Sequence, residues 1–442
     1  MFDTLFHNAL VVTVDPDLGE IPGGALAVRG GVIEKVWRPA PGEALPAANE
    51  AFDLAGGLLM PGLVNAHTHL PMTLFRGLAD DLTLQQWLNE HIFPAEARFV
   101  TPENVALGTR LACAEMLLNG ITTCCDGYFL ADSVAGAVAE TGLRAVLGQG
   151  VIDFPAPGVP DPAGNVAHAA AFVAAWRSRS PLITPSIFCH SPYTCSARTL
   201  RSAKAAAREA GVRFQIHAAE TRSELERCRS EQGQTPVRYL SRLGLLDEQT
   251  LLVHAVWLDG EEVRMVADSG AGIVHCPQSN MKLGSGVAPV PDFLAAGIAV
   301  GLGTDGCASN NDLDLFGEMD TAAKLHKVQR LDPTVMDAAQ VVQMATRDGA
   351  RAIGLEGQIG SLAPGRRADL IVLDLNQPHL VPLYHPASHL VYAAGGADVR
   401  HVMIDGRWVV RDRRLLTIDL EPLLDAAGRL GRTIAAQRGS PR

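Results

Sequence analysis

A (β/α)8 TIM-like barrel, with a small β-sandwich built from the N- and C-terminal segments, is the fold class this sequence predicts. Three observations predict it. About eight apolar runs alternate with helix-like stretches over some 250 residues in the middle of the chain. Both ends carry short alternating runs broken by Gly and Pro instead. Histidines and an aspartate fall where the apolar runs end, the face on which such barrels carry their chemistry. An open doubly wound sheet would also alternate strands and helices, but no G-x-G-x-x-G opens a helix after the first strand.

The end segments come first. Asn8-Ala9-Leu10-Val11-Val12-Thr13-Val14 and Gly24-Ala25-Leu26-Ala27-Val28 read as antiparallel strands joined by turns. The same texture returns after Pro364-Gly365, in Ala368-Asp369-Leu370-Ile371-Val372-Leu373 and in Val399 to Val410. Isolated hairpins cannot bury their apolar faces, so residues 1–60 and 365–442 are expected to pair as one sandwich domain. That leaves residues 61–364 for the barrel.

Pro61-Gly62 marks the turn into the first barrel strand, Leu63-Val64-Asn65-Ala66-His67-Thr68-His69. Further strands are expected at Gly120–Cys125, Leu143–Gly148, Leu182–Phe188, Val212–Ile216, Thr250–Val253, Gly272–Val274 and Ile298–Gly303. Helix-like stretches separate them, among them Asn104–Leu118, Ala131–Glu140, Arg198–Ala210, Pro236–Leu243 and Gly260–Asp268.

Composition bounds the function. The 442 residues are 47% hydrophobic and 19% charged, which supplies a large core and shows no sign of extended disorder. Lys+Arg 37 against Asp+Glu 48 gives a net charge of -11, and without a basic cluster a nucleic-acid partner is not expected. Met1-Phe2-Asp3-Thr4 lacks a basic n-region and an apolar h-region, and no uninterrupted apolar run reaches the ~18 residues of a membrane span. A cytoplasmic protein with no membrane partner is expected. The 8 cysteines include no C-x-x-C and read as buried free thiols.

Chemistry collects at the strand ends. Alternate side chains of a strand share a face, so His67 and His69 can aim at one point. His190, His217, His254 and Asp305 each close a later strand. Three imidazoles and a carboxylate can hold one divalent ion and leave a position for water, which assigns His67, His69, His217 and Asp305 as ligands. A bridged two-metal site would need a ligand such as a carboxylated lysine on the central strand, and Leu182 to His190 contains no Lys. Zinc leads on ligand type, with iron the alternative. Glu220, three residues past His217, is placed to serve as general acid and base without ligating the ion.

With these residues in hand the chain resembles the amidohydrolase superfamily, in the branch of 5′-methylthioadenosine/S-adenosylhomocysteine deaminases, other aminopurine deaminases and triazine hydrolases. The carriers are Pro61 to His69, His190-Ser191-Pro192-Tyr193-Thr194-Cys195-Ser196, His217-Ala218-Ala219-Glu220, and Gly303-Thr304-Asp305-Gly306 with Ala308-Ser309-Asn310-Asn311. The resemblance spans nearly the whole chain. It implies the same four ligands, Glu220 as proton shuttle, and His254 as hydrogen-bond partner of the attacking oxygen, beside catalytic Asp305. It also implies a nucleoside pocket in which Trp87 packs on the adenosine, Glu96 accepts the ribose hydroxyls and His190 contacts the purine.

The implied reaction is metal-dependent deamination of 5′-methylthioadenosine, adenosine or S-adenosylhomocysteine to the inosine-type product and ammonia. The alternative is deamination or dechlorination of a free base or triazine on the same mononuclear site. Relatives that accept S-adenosylhomocysteine hold its carboxylate with arginines. Here the loop Asp153 to Pro160 contains none, and Arg177 and Arg179 are the nearest candidates, so neutral 5′-substituents are expected to be preferred. A homo-oligomer, dimer or tetramer, is the expected assembly for this family.

Overall fold

A computed structural model describes residues 1–437. Nine strands come from the chain ends: β1 (Phe2–Val12), β2 (Glu20–Arg29), β3 (Val32–Trp37), β4 (Ala48–Asp53) and β5 (Leu58–Pro61) at the start. Eight more follow in the middle: β6 (Leu63–Thr68), β7 (Ile121–Tyr128), β8 (Arg144–Val151), β9 (Ile183–Cys189), β10 (Phe214–Ala218), β11 (Thr250–His254), β12 (Gly272–His275) and β13 (Val300–Leu302). The end set is completed by β14 (Leu370–Leu373), β15 (Val399–Ile404), β16 (Arg407–Arg411) and β17 (Arg414–Leu415).

The expected pairing of the two ends is present. All nine end strands share one mixed sheet in the order β17-β16-β15-β14-β5-β1-β2-β3, with β4 added parallel to β1. The join is β5 against β14, Leu58 opposite Leu373 and Pro61 opposite Leu370. Side chains from both halves, including Phe6, Leu26, Ile33, Leu59, Leu370 and Met403, bury one another in a core separate from that of the barrel.

The middle strands form a parallel sheet in strict sequence order from β6 to β13. All eight coincide with the apolar runs read from the sequence, because strands covered on both faces are apolar throughout. The first and last strands meet through side-chain and backbone hydrogen bonds. Asn65 Nδ2 donates to Thr304 Oγ1 at 2.7 Å, Thr304 N donates to Asn65 Oδ1 at 3.1 Å, and Asp305 N donates to His67 O at 3.0 Å. This closure brings residues 238 positions apart (305 − 67) side by side. Gly62 permits the step from one sheet into the other, since a Cβ there would lie 2.0 Å from Thr122 Oγ1.

The two sheets are locked at the bottom of the barrel. Arg144, the first residue of β8, reaches Asp369 with Nε at 2.6 Å and Nη2 at 3.0 Å, and both side chains are buried. The helix Arg222–Gln232 is one element whose type the apolar pattern does not reveal. Its sequence, RSELERCRSEQ, carries too few apolar residues to show a period, and it is held by the Thr221 cap, whose hydroxyl accepts from Glu224 N. Among the described residues no helix is long and apolar enough to cross a membrane, and all eight cysteines are free and buried.

Candidate active site

Strand ends deliver the site. His67 and His69 leave β6 on one face, His217 leaves β10, His254 ends β11, and Asp305 follows β13. His254, Asp305 and the neighbouring Ala219 and Ala255 sit in backbone conformations that side-chain-bearing residues rarely adopt: φ is +54° at Ala219, +72° at His254, +48° at Ala255 and +59° at Asp305. Strain of this kind costs on the order of 1–3 kcal/mol per residue and persists where the surroundings enforce it.

The ring nitrogens of His67, His69 and His217 all lie within 4.8 Å of one another. His67 Nε2 is 3.1 Å from His217 Nε2, and Asp305 Oδ1 is 3.5 Å from His67 Nε2 and 3.3 Å from His69 Nε2. His69 donates from Nδ1 to Gly127 O at 2.6 Å, which leaves its Nε2 lone pair directed at the cluster. Burial depresses the pKa of His67 to about 4 and that of His217 well below the usual imidazole range. Neutral imidazoles facing one another beside a carboxylate have more lone pairs than protons to fill them. A divalent cation resolves that excess, so this donor set fits one.

Asp305 is pinned at both oxygens. Ser279 Oγ donates to Oδ2 at 2.7 Å, Ser309 Oγ donates to it at 2.9 Å, and Gly306 N donates to Oδ1 at 2.8 Å. Burial alone would raise its pKa, but the hydrogen bond with His67 and the positive charge that the neighbouring histidines carry when protonated outweigh that and hold it well below the carboxylate range. Asp305 is therefore ionised and fixed, with Oδ1 the oxygen turned to the histidines.

Glu220 and His254 face each other across the cluster, Oε2 to Nε2 at 3.9 Å. His254 donates from Nδ1 to Asn280 Oδ1 at 3.0 Å, so Nε2 is free to accept. Glu220 accepts from Ser285 Oγ at 3.3 Å, and burial raises its pKa above the usual carboxylate value.

A chamber of about 730 Å³, counting its open mouth, lies over these groups. Trp87, Glu96 and His190 all line it. Trp87 begins a π-type turn over Trp87–Ile92, a local distortion frequent at functional sites. His190 Nδ1 is engaged by Thr194 Oγ1 at 3.0 Å, which turns Nε2 toward the chamber. Glu96 accepts from Tyr128 Oη at 2.6 Å through Oε1, burial pushes its pKa up to about 7, and Oε2 has no partner among the described residues. The expected ligands, the two expected acid–base and hydrogen-bonding groups and the three expected substrate contacts are thus brought to this one place. Arg177 and Arg179 are not: Arg177 donates to Ala210 O and Arg179 stacks on Trp176.

Other participants escaped the sequence reading. Ser279 and Asn280 support Asp305 and His254 from a helix 26 residues away in each case, and nothing in their surroundings sets them apart. Ser309, four residues past Asp305, lies in the Ala308-Ser309-Asn310-Asn311 motif, but the motif does not reveal its bond to the carboxylate. Tyr128 had a usable signal, being a polar aromatic at the C-terminal end of a barrel strand.

Comparison with known proteins agrees with this geometry. A 5-methylthioadenosine/S-adenosylhomocysteine deaminase of Syntrophobacter fumaroxidans is 48% identical over 435 residues, 98% of each chain. A 5′-deoxyadenosine deaminase of Methanosarcina mazei is 42% identical over 441 residues, 100% of each. The crystal structure of an adenosine deaminase from Xanthomonas campestris with bound zinc superposes with a TM-score of 0.96 at 39% identity, covering 98% of this chain and 99% of that one. Residues 58–409 match the amidohydrolase family model, and on these grounds the chain belongs to the amidohydrolase family.

Proposed function

We propose that this protein is a metal-dependent deaminase of adenosine-type nucleosides, 5′-methylthioadenosine and adenosine foremost, releasing ammonia and the inosine-type product. The observation that carries the reading is Glu96. Its second carboxylate oxygen, without a partner among the described residues, stands in the same chamber as the histidine cluster, where a ribose diol can meet it. A free base or a triazine offers no such diol. Three relatives named for deamination of adenosine compounds, one of them solved with zinc, point the same way.

In this reading His67, His69, His217 and Asp305 hold one ion, zinc on ligand type. When bound, the ion supplies the Lewis acidity that makes water nucleophilic near neutral pH. His254 Nε2 accepts from the attacking oxygen and orients it toward the purine carbon bearing the amine. Glu220 takes the water proton, passes it to the adjacent ring nitrogen, and then assists protonation of the departing amine. His190 holds the purine edge, and Trp87 covers the adenosine. Asp305, tied by Ser279 and Ser309, stays a ligand and leaves proton traffic to Glu220.

No arginine lines the chamber among the described residues, and Arg227, which borders the adjoining outer groove, is held by Glu231 at 2.8 Å. Neutral 5′-substituents are therefore placed ahead of the homocysteine group. Ammonia release should be measured from adenosine, 5′-methylthioadenosine, S-adenosylhomocysteine, guanine and a chlorotriazine. The two neutral nucleosides should give the highest kcat/KM, and a higher value for guanine or the triazine would overturn the assignment.

A further inference from the structure

Glu224 is a buried carboxylate that none of the steps above uses. It sits at the third position of the helix Arg222–Gln232, whose cap is Thr221. The pattern Thr221-x-x-Glu224 matches a capping box, in which the glutamate would return to the backbone N–H of the cap residue itself. Glu224 does not do this. Its Oε1 accepts from Ala219 N at 2.9 Å and its Oε2 accepts from Glu220 N at 2.8 Å. The carboxylate reaches past the cap and grips the two amides that precede it.

Those two amides belong to the turn that aims Glu220. Ala219 has φ +54°, a left-handed conformation that an alanine adopts only when held there. On its far side the turn is stapled to the end of the next strand. Ala218 O accepts from Ala255 N at 3.1 Å, and Ala219 O accepts from Val256 N at 3.0 Å and Trp257 N at 2.9 Å. That second turn carries His254 and Ala255, also left-handed, at φ +72° and +48°. The two strained turns thus interlock, one presenting Glu220 and the other His254, and Glu224 is the side chain that holds the first turn's N–H groups. Both bonds run from neutral amides to a buried carboxyl: burial pushes its pKa up to about 7, and the two amides act the other way by favouring the ionised form, to which such bonds are charge-assisted.

From this arrangement we infer that Glu224 is a positioning residue for Glu220: its bidentate grip on the Ala219 and Glu220 amides fixes the proton-carrying carboxylate against His254. The inference rests on the reading of Glu220 as proton carrier, so Glu220→Gln is measured beside it. In Glu224→Gln one of the two acceptors becomes an NH2 group that faces an N–H, and the turn loses one bond and gains a repulsion. A small misplacement of a reacting group costs about 10²-fold in rate.

The test is steady-state deamination of 5′-methylthioadenosine by the zinc-loaded enzyme, with metal content and Tm read on the same preparations. Glu224→Gln should lower kcat about 10²-fold while leaving KM and zinc content at the wild-type values. Thr221→Ala removes the cap bond to the Glu224 backbone N–H while keeping both carboxylate bonds, and is the control for a purely structural role. It should lower Tm and leave kcat alone. Glu224→Asp keeps the charge but withdraws it by one methylene, so it should lower kcat in the same direction, and it serves if the glutamine variant does not fold. Wild-type kcat in Glu224→Gln with Glu220→Gln inactive would overturn the inference alone. Equal loss of kcat in Thr221→Ala and Glu224→Gln at equal loss of Tm would overturn it as well. Full turnover by Glu220→Gln would instead remove the reading on which it stands.

Discussion

Replacing Glu96 by glutamine separates the nucleoside reading from its alternatives with one substitution and two substrates. Glu96 Oε1 is occupied by the Tyr128 hydroxyl at 2.6 Å, so only Oε2 is free for a ligand. In Glu96→Gln the amide oxygen keeps the Tyr128 bond, and the NH2 group takes the place of the free acceptor. A hydroxyl that donated to Oε2 loses its partner. A hydrogen bond to a charged acceptor is worth about 1.5–3 kcal/mol, which is roughly 10- to 150-fold in kcat/KM. Because burial raises this carboxyl to a pKa of about 7, the assay belongs at a more alkaline pH, where Glu96 is ionised. Wild type should prefer adenosine over 2′,3′-dideoxyadenosine by that factor, and Glu96→Gln should erase the preference by losing activity on adenosine alone. Equal losses on both substrates would refute the diol contact, as would no loss on either.

Three further outcomes are expected. Glu220→Gln should retain the metal and lose about 10²- to 10⁴-fold in kcat, the range for removal of a general acid–base; metal analysis and ammonia release read the two halves, and near wild-type turnover would remove Glu220 from the mechanism. Arg144→Ala strands Asp369 as an unpaired buried charge at the junction of the two sheets, which should cost about 3–5 kcal/mol in urea unfolding while kcat/KM of the folded enzyme is unchanged; a loss under about 1 kcal/mol, as for an exposed pair, would contradict the lock. Glu96 also predicts a pH dependence: its folded pKa of about 7 lies above the ordinary 4.5, so its burial is without ionisation cost below the unfolded value, and stability is lost as pH rises through 7. Glu96→Gln should therefore gain on wild type by about 2–3 kcal/mol between pH 5 and pH 8, and a pH-independent difference would show that Glu96 is not held in this way.

Much of this was legible in the chain because barrel topology converts sequence position into spatial position. A strand covered on both faces must be apolar, so a histidine or aspartate at its end stands out and falls on the catalytic face. That logic reaches His67, His69, His190, His217, His254 and Asp305 without coordinates. It cannot reach residues that act through backbone or through another side chain. Ser279 meets Asp305 from a helix 26 residues away, and a serine there looks like any other. Glu224 reads as the start of a helix, and its grip on the Ala219 and Glu220 amides depends on a left-handed turn that no residue type announces. The helix Arg222–Gln232 is likewise silent, because its polar sequence has no apolar period.

The claim at the centre is that four residues hold one ion on which turnover depends. Stripping the enzyme with a chelator and titrating it with zinc, while following ammonia release from 5′-methylthioadenosine, tests that most directly. Activity should be absent from the stripped enzyme and return in proportion to added zinc, reaching its plateau at one equivalent per chain. Turnover in the metal-free enzyme, or activity that keeps rising toward two equivalents, would contradict it.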